Sequence, residues 1–239
     1  MKLICYLSNG YPTISQSAEM AAHYVQAGCD VIEVDLPSSN PYLEGALIAG
    51  RMKTALATCS DYDQYLDNIR TIHATYPGIE VLLLAYEQTI LEIGVERFIA
   101  YCLDNDLKDL IVVGHEKESV RPRLIENGLR VSCYVQFHMP DDEIASALDS
   151  NGFVYMQAKP TSGPVNPDYP TLKACIRKLR DLGISRPIHC GVGVYTADDV
   201  QMVREAGGDG VFVGSSILKH EQDYAQVEET IRTFKAATL

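Results

Sequence analysis

The chain has 239 residues, 46% of them hydrophobic and 22% charged, a globular composition at close to the size of one complete eightfold α/β barrel. A formal net charge of −12 opposes general attraction to nucleic acid or to an anionic lipid surface. No apolar run approaches the roughly 18 residues needed to span a bilayer, and the opening run Met1–Leu7 is too short for a signal peptide.

In chain order, short β-branched runs alternate with amphipathic segments. The first predicted strand, Leu3–Leu7, leads into a turn at Asn9-Gly10-Tyr11-Pro12. A helical pattern follows over Gln16–Ala27, with Thr13 or Ser15 at its start and Gly28 after its end. The second strand is Val31–Val34, and the long stretch from Leu36 to Gly78 has room for a mouth loop and two helices. Strand three, Glu80–Leu84, precedes a helix over Val95–Asp104, and strand four is Leu110–Val113. After Gly128 come strand five, Val131–Val135, and a helix over Asp141–Asp149 ended by Gly152. Strand six, Phe153–Met156, is followed by a helix over Thr171–Leu182 with Gly183 beyond it. Strand seven is Pro187–His189, Thr196 opens a helix over Ala197–Glu205 ended by Gly207 or Gly208, and strand eight is Gly210–Val213. Eight strands with intervening helices and no long linker predict one (β/α)8 TIM-barrel domain over residues 1–239.

The seven cysteines, at 5, 29, 59, 102, 133, 175 and 190, are odd in number and contain no CxxC pair. That spacing is neither a disulfide framework nor a zinc site, and buried reduced thiols fit a cytoplasmic location.

In such a barrel function sits at the C-terminal ends of the strands, so the residues just after each apolar run form a short list. Cys190-Gly191-Val192-Gly193-Val194 follows strand seven and Val213-Gly214-Ser215-Ser216 follows strand eight. Phosphate needs several converging N–H donors with no side chain in the way, which glycines after these two strands and a short helix opening at Ser215 supply. Ser215 or Ser216 adds a hydroxyl, and Gly163 a further donor from the loop after strand six. The pairing predicts a ribulose-phosphate-binding type of barrel. The bland reading is that these glycines only make tight turns.

Glu33 interrupts an apolar strand; a carboxylate there finds a cation, titrates upward or serves chemistry. Asp35, two residues on, shares its face or points to solvent at the strand end. Glu44 follows the turn-rich loop Pro37-Ser38-Ser39-Asn40-Pro41 and on spacing alone is a solvated loop carboxylate. His115 and His138 lack the regular spacing of metal ligands, and His189 reads as a hydrogen-bonded core residue.

The run Ile32-Glu33-Val34-Asp35-Leu36-Pro37-Ser38-Ser39-Asn40-Pro41-Tyr42-Leu43-Glu44-Gly45 resembles, without a gap, the Ile/Leu-Glu-x-Gly-x-Pro-Phe-Ser-Asp-Pro-x-x-Asp-Gly stretch of the tryptophan synthase α subunit. The turn at Asn9–Pro12, Tyr86 and Gln88 after strand three, Gly152-Phe153-Val154-Tyr155, and the two glycine sites are similar to that family as well. The resemblance implies retro-aldol cleavage of indole-3-glycerol phosphate to indole and glyceraldehyde 3-phosphate, without metal or cofactor. Glu33 would then protonate the indole ring carbon and take the glycerol hydroxyl proton, and Glu44 would accept the indole N–H. Tyr86 and Tyr155 would line the pocket, and Gly163, Gly191, Gly193, Gly214 and Ser215 would hold phosphate. A β-type tryptophan synthase subunit is the implied partner.

Four departures lie at the ring end: Glu44 is a methylene longer than the family's aspartate, Asp35 stands at a glycine position, Ser38 at a phenylalanine and Asn40 at an aspartate. A fifth, Lys159 at an arginine position, lies in the loop after strand six, which is one residue shorter than the family's and bears on closure of the mouth. The sequence starts at strand one, where the family has a further helix under the barrel, so something else is expected to cover that floor. A homologue acting on another small phosphorylated substrate, and a phosphate-binding regulatory barrel without turnover, are the alternatives these departures leave open.

Overall fold

A computed structural model describes residues 1–114, 120–161 and 165–239. In chain order, β1 (Lys2–Leu7), α1 (Ile14–Gln26), β2 (Val31–Leu36), α2 (Ala46–Thr58), α3 (Tyr62–Thr75) and β3 (Glu80–Tyr86) form the first part. There follow α4 (Glu87–Ile93), α5 (Val95–Asp104), β4 (Asp109–Val113), α6 (Val120–Glu126), β5 (Arg130–Val131), β6 (Cys133–Val135) and α7 (Asp141–Asp149). The last part comprises β7 (Val154–Gln157), α8 (Leu172–Asp181), β8 (Ile188–Gly191), α9 (Ala197–Ala206), β9 (Gly210–Val213), α10 (Ser215–Leu218) and α11 (Tyr224–Ala237).

All strand pairs are parallel, in the order β5-β4-β3-β2-β1-β9-β8-β7-β6. The two end strands are halves of the single predicted fifth strand. Arg130 and Val131 pair with Asp109 and Leu110 of β4, whereas Cys133–Val135 pairs with Val154–Met156 of β7. Ser132 carries the chain from one neighbour to the other, so the sheet is a nearly closed barrel completed through that residue.

Period-two alternation decides which side chains meet where. Leu3, Cys5, Leu7, Ile32, Val34 and Leu36 face the helices in the large outer cluster, while Ile4, Tyr6, Val31, Leu82 and Leu84 fill the barrel. Leu3, Ile32, Leu83, Ile188 and Val211 are completely buried, each worth about 1.5–3 kcal/mol relative to exposure. Thr13 and Thr196 cap α1 and α9 as expected, the latter in a full capping box with Asp199. Gly207 closes α9 in the left-handed region at φ +91. Gly152 differs from its predicted role: it has no positive φ, and a Cβ there would sit 2.4 Å from the Val131 carbonyl carbon, so glycine permits close approach to the strand.

At the barrel floor ion pairs rim a cavity of about 630 Å³ that reaches Phe153 and His189. Lys2 pairs with Glu80, and Arg130 Nε donates to Asp109 Oδ1 at 2.7 Å. His189 is a buried core residue beside Phe153, as predicted, but its Nδ1 has no hydrogen-bond partner among the described residues. Burial pushes its pKa down to about 4. No helix of the described residues is long and apolar enough to cross a membrane.

Candidate active site

A cavity of about 830 Å³ opens at the C-terminal ends of the strands. Glu33, Glu44, Tyr155, Gly193, Gly214 and Ser215 all line it. Strand parity and two glycine loops thus bring predicted residues from β2, β7, β8 and β9 to one space.

Glu33 points inward from β2, opposite Tyr6 of β1 and Leu82 of β3. It is only 5% exposed, yet no described residue hydrogen-bonds or ion-pairs with it. Burial first, then the Glu44 and Asp35 carboxylates, push its pKa up to about 8. Of the fates open to a carboxylate interrupting a strand, pairing with a cation is therefore not the one observed.

Asp35 shares the inward face and is fully buried rather than solvated. Its Oδ2 accepts the Tyr6 hydroxyl at 2.7 Å and its Oδ1 the Asn9 amide at 2.6 Å, which ties the loop after β1 to β2. Burial raises its pKa to about 7 against the lowering effect of those two donors. It braces the loop after β1 and does not line the cavity.

Glu44 sits in the turn before α2, its amide bonded to the Pro41 carbonyl at 3.1 Å. The Tyr86 hydroxyl donates to Glu44 Oε1 at 3.3 Å and accepts the Leu43 amide at 3.2 Å. Burial raises the Glu44 pKa, and the Tyr86 hydrogen bond opposes that rise. Tyr86 itself is 1% exposed and does not line the main cavity, a departure from its expected place. Gln88 bonds to Glu92 on the exposed side and lies away from the cavity.

Tyr155 stacks on Phe212 at 4.3 Å between ring centroids, with 9° between planes, and meets the edge of Tyr134 at 5.6 Å. These rings, with Leu84 and Ile111, form an apolar slot beside Glu33. Of these, Tyr155 was expected from the resemblance, and Phe212, Leu84 and Ile111 could have been found as further barrel-facing positions of their strands. Gly191 does not line the cavity but leaves room for the phenol, since a Cβ there would meet the Tyr155 hydroxyl at 2.4 Å.

The two glycine loops are locked together. Ser216 Oγ donates to the Tyr195 carbonyl at 3.1 Å, which leaves Ser215 at the cavity surface. Asp199 accepts the Tyr195 amide at 2.8 Å and pairs with Lys159, whose stem packs against Gly193. Gly193 has φ +89, and the preceding Val192 is held at φ +62, a conformation that β-branched residues rarely adopt. Among the described residues, the amides of Gly193, Val194, Ser215 and Ser216 donate to no protein acceptor. Such a set of unengaged donors suits an anion.

Gly163 and His115 lie outside the described residues. Two glutamines that follow β6 and end β7 are held by protein partners: Gln136 by Glu143, and Gln157 by the Phe137 amide and Thr161. No cluster of metal-ligating side chains occurs among the described residues. Sequence reasoning missed Arg121, which lines the cavity from α6 and looks in sequence like any helix-surface cation.

Comparison with known proteins gives the family and the fold. The family model for the tryptophan synthase alpha chain matches residues 1–238. The tryptophan synthase alpha chain of Methanosarcina barkeri is 24% identical over 96% of this chain and 87% of its own length. That of Synechococcus is 27% identical over 92% and 82%. Tryptophan synthase from Mycobacterium tuberculosis in an aminoacrylate-bound form superposes with a TM-score of 0.83 at 23% identity, covering all of this chain and 93% of the other. The alpha subunit from Legionella pneumophila gives 0.82 at 22% identity, over 99% and 92%. The structural likenesses show the fold, and the family model shows the family: the chain belongs to the tryptophan synthase alpha chain family.

Proposed function

We propose that this family member is a carbon–carbon lyase that cleaves indole-3-glycerol phosphate, or a close aryl-glycerol phosphate, to the free aromatic ring and glyceraldehyde 3-phosphate. The observation that carries the reading is an unpaired buried Glu33 in the same cavity as the free amides of Gly193 and Ser215.

Phosphate is assigned to the two glycine loops, whose amides leave no hydrogen-bonding deficit when an anion occupies them. The ring lies in the slot of Tyr155, Phe212, Leu84 and Ile111, within reach of the carboxylates that line the same space. Glu33, with its pKa near 8, arrives protonated at neutral pH and acts first as an acid. It gives its proton to the ring carbon bearing the glycerol chain, which creates the indolenine tautomer. The resulting carboxylate takes the proton of the adjacent hydroxyl. The C–C bond then breaks, its electron pair returns to the ring and neutralises the iminium, and the former carbinol becomes the aldehyde. Glu33 ends protonated, so the cycle closes without a net proton.

Glu44 accepts the ring N–H, and its negative charge stabilises the positive nitrogen of the indolenine. Tyr86 holds Glu44 by one hydrogen bond, which favours the charged carboxylate that this role needs. The longer reach of glutamate is matched by that fixed hydroxyl.

A β-type tryptophan synthase subunit is the proposed partner. Tyr42, Leu43 and Tyr195 on the mouth loops and Leu47 on the first turn of α2 are exposed apolar side chains, a feature that suits a covering surface. Co-purification with such a subunit, and a change of rate on mixing, test this partner. The activity itself is tested by supplying indole-3-glycerol phosphate to the purified protein. Indole and glyceraldehyde 3-phosphate released in equal amounts support the reading, and absence of both overturns it.

A further inference from the structure

Arg121 occupies a split in the barrel wall. β4 pairs with β5 only at Asp109 and Leu110, after which Ser132 N still reaches the Leu110 carbonyl at 2.9 Å. Beyond that point no backbone bond joins β4 to β6 among the described residues. The carbonyls left unpaired on both sides are taken by Arg121, whose Nη1 donates to Ser132 O at 2.9 Å and Nη2 to Val112 O at 3.1 Å.

The active-site cavity runs through this split. Its lining includes barrel-interior residues such as Ile111 and Phe212, and also Val112 and Cys133 of the outer layer and Ser146 of α7. The guanidinium has five N–H donors, and two are engaged by these carbonyls. Its unengaged donors are not sealed in protein, since no Arg121 atom is a buried orphan, and the residue borders the cavity. No carboxylate forms an ion pair with it among the described residues. Of the acids nearby in the lining, Glu143 is held by Gln136, and Asp142 is exposed on the first turn of α7. Burial lowers the Arg121 pKa, and the charges of Cys133 and Glu87 oppose that fall.

We infer that the ring-binding end accepts an aromatic unit bearing an acidic group, a carboxylate in the simplest case, which reaches through the split to pair with Arg121. The inference rests on the reading of the cavity as an aryl-glycerol phosphate site. It makes Arg121 a specificity-determining residue: a guanidinium meets a carboxylate through two parallel hydrogen bonds, a geometry that an unsubstituted ring leaves empty.

The test is calorimetric binding of indole and of its four benzo-ring monocarboxylates to the wild-type protein, Arg121→Gln and Arg121→Lys. At least one carboxylate isomer is expected to bind the wild type about tenfold or more tightly than indole. That preference is expected to vanish in Arg121→Gln, which keeps a donor for the strand carbonyls but no charge, and to survive in part in Arg121→Lys. No isomer preferred over indole, or a preference unchanged in Arg121→Gln, overturns the inference. Indole-3-glycerol phosphate turnover is measured on the same samples. Turnover without carboxylate preference refutes the role of Arg121 alone, whereas preference without turnover upholds it and removes the unsubstituted compound as the substrate of the proposed reaction.

Discussion

The Tyr86 hydroxyl is shared between the Glu44 carboxylate, to which it donates at 3.3 Å, and the Leu43 amide, which it accepts at 3.2 Å. One phenol in the third strand thereby fixes both the backbone and the side chain of the mouth loop. Tyr86→Phe removes both bonds without changing the packing volume. It is expected to lower kcat about tenfold and stability by only about 1 kcal/mol. The Glu44 pKa, relieved of a hydrogen bond that lowers it, is expected to rise, so the pH limb that reports Glu44 ionisation moves to higher pH. Steady-state pH profiles of both proteins check this, and superimposable profiles count against the assignment.

Asp35 satisfies two buried donors, Tyr6 Oη and Asn9 N. Asp35→Ala strands both and is expected to cost roughly 2–3 kcal/mol, whereas Asp35→Asn, which keeps an acceptor oxygen, costs less. Urea denaturation at neutral pH measures the difference. Equal stability of Asp35→Ala and wild type would mean the brace is not needed.

The raised carboxylates give the fold a pH signature. Glu33 titrates near 8 when folded against 4.5 for the free group, and Asp35 near 7 against 3.8. The folded state therefore holds protons that the unfolded state has released. The stability this carries is complete below about pH 4 and is lost as pH rises through 7 and 8. Glu33→Gln abolishes one of the two titrations. Relative to wild type it is expected to gain on the order of 1–3 kcal/mol between pH 5 and pH 8. Thermal denaturation across that range checks the sign, and parallel curves for the two proteins contradict it.

Gly193 combines φ +89 with a Lys159 stem that a Cβ would meet at 2.9 Å. Gly193→Ala is expected to weaken inorganic phosphate binding about tenfold through backbone strain in the loop. Gly207→Ala carries comparable φ strain far from the cavity and is the control. Equal phosphate affinity in both variants would remove the glycine loops from the phosphate site.

Much of this architecture was readable from the chain, for reasons that particular residues make plain. Period-two alternation in Val31, Glu33 and Asp35 against Ile32, Val34 and Leu36 fixes which face looks into the barrel. The glycine loops after β8 and β9 stand out because glycine leaves backbone donors with clear space, which suits an anion. The split at Ser132 did not show, because it depends on Arg121, eleven residues earlier, replacing ladder bonds with side-chain bonds. Gly152 looked like a helix cap because sequence records a missing Cβ and not whether φ or a neighbouring carbonyl requires it. Tyr86 was expected in the pocket wall, but the loop it supports stands between it and the cavity, and loop paths are set by tertiary contacts.

The most direct test of the account is the turnover of Glu33→Gln on indole-3-glycerol phosphate, measured beside its affinity for the same compound. Glutamine keeps the shape of the buried site and cannot exchange a proton, so kcat is expected to fall about 10²–10⁴-fold while affinity stays within about threefold. A variant that still releases indole at the wild-type rate would show that Glu33 is not the acid and base of this barrel.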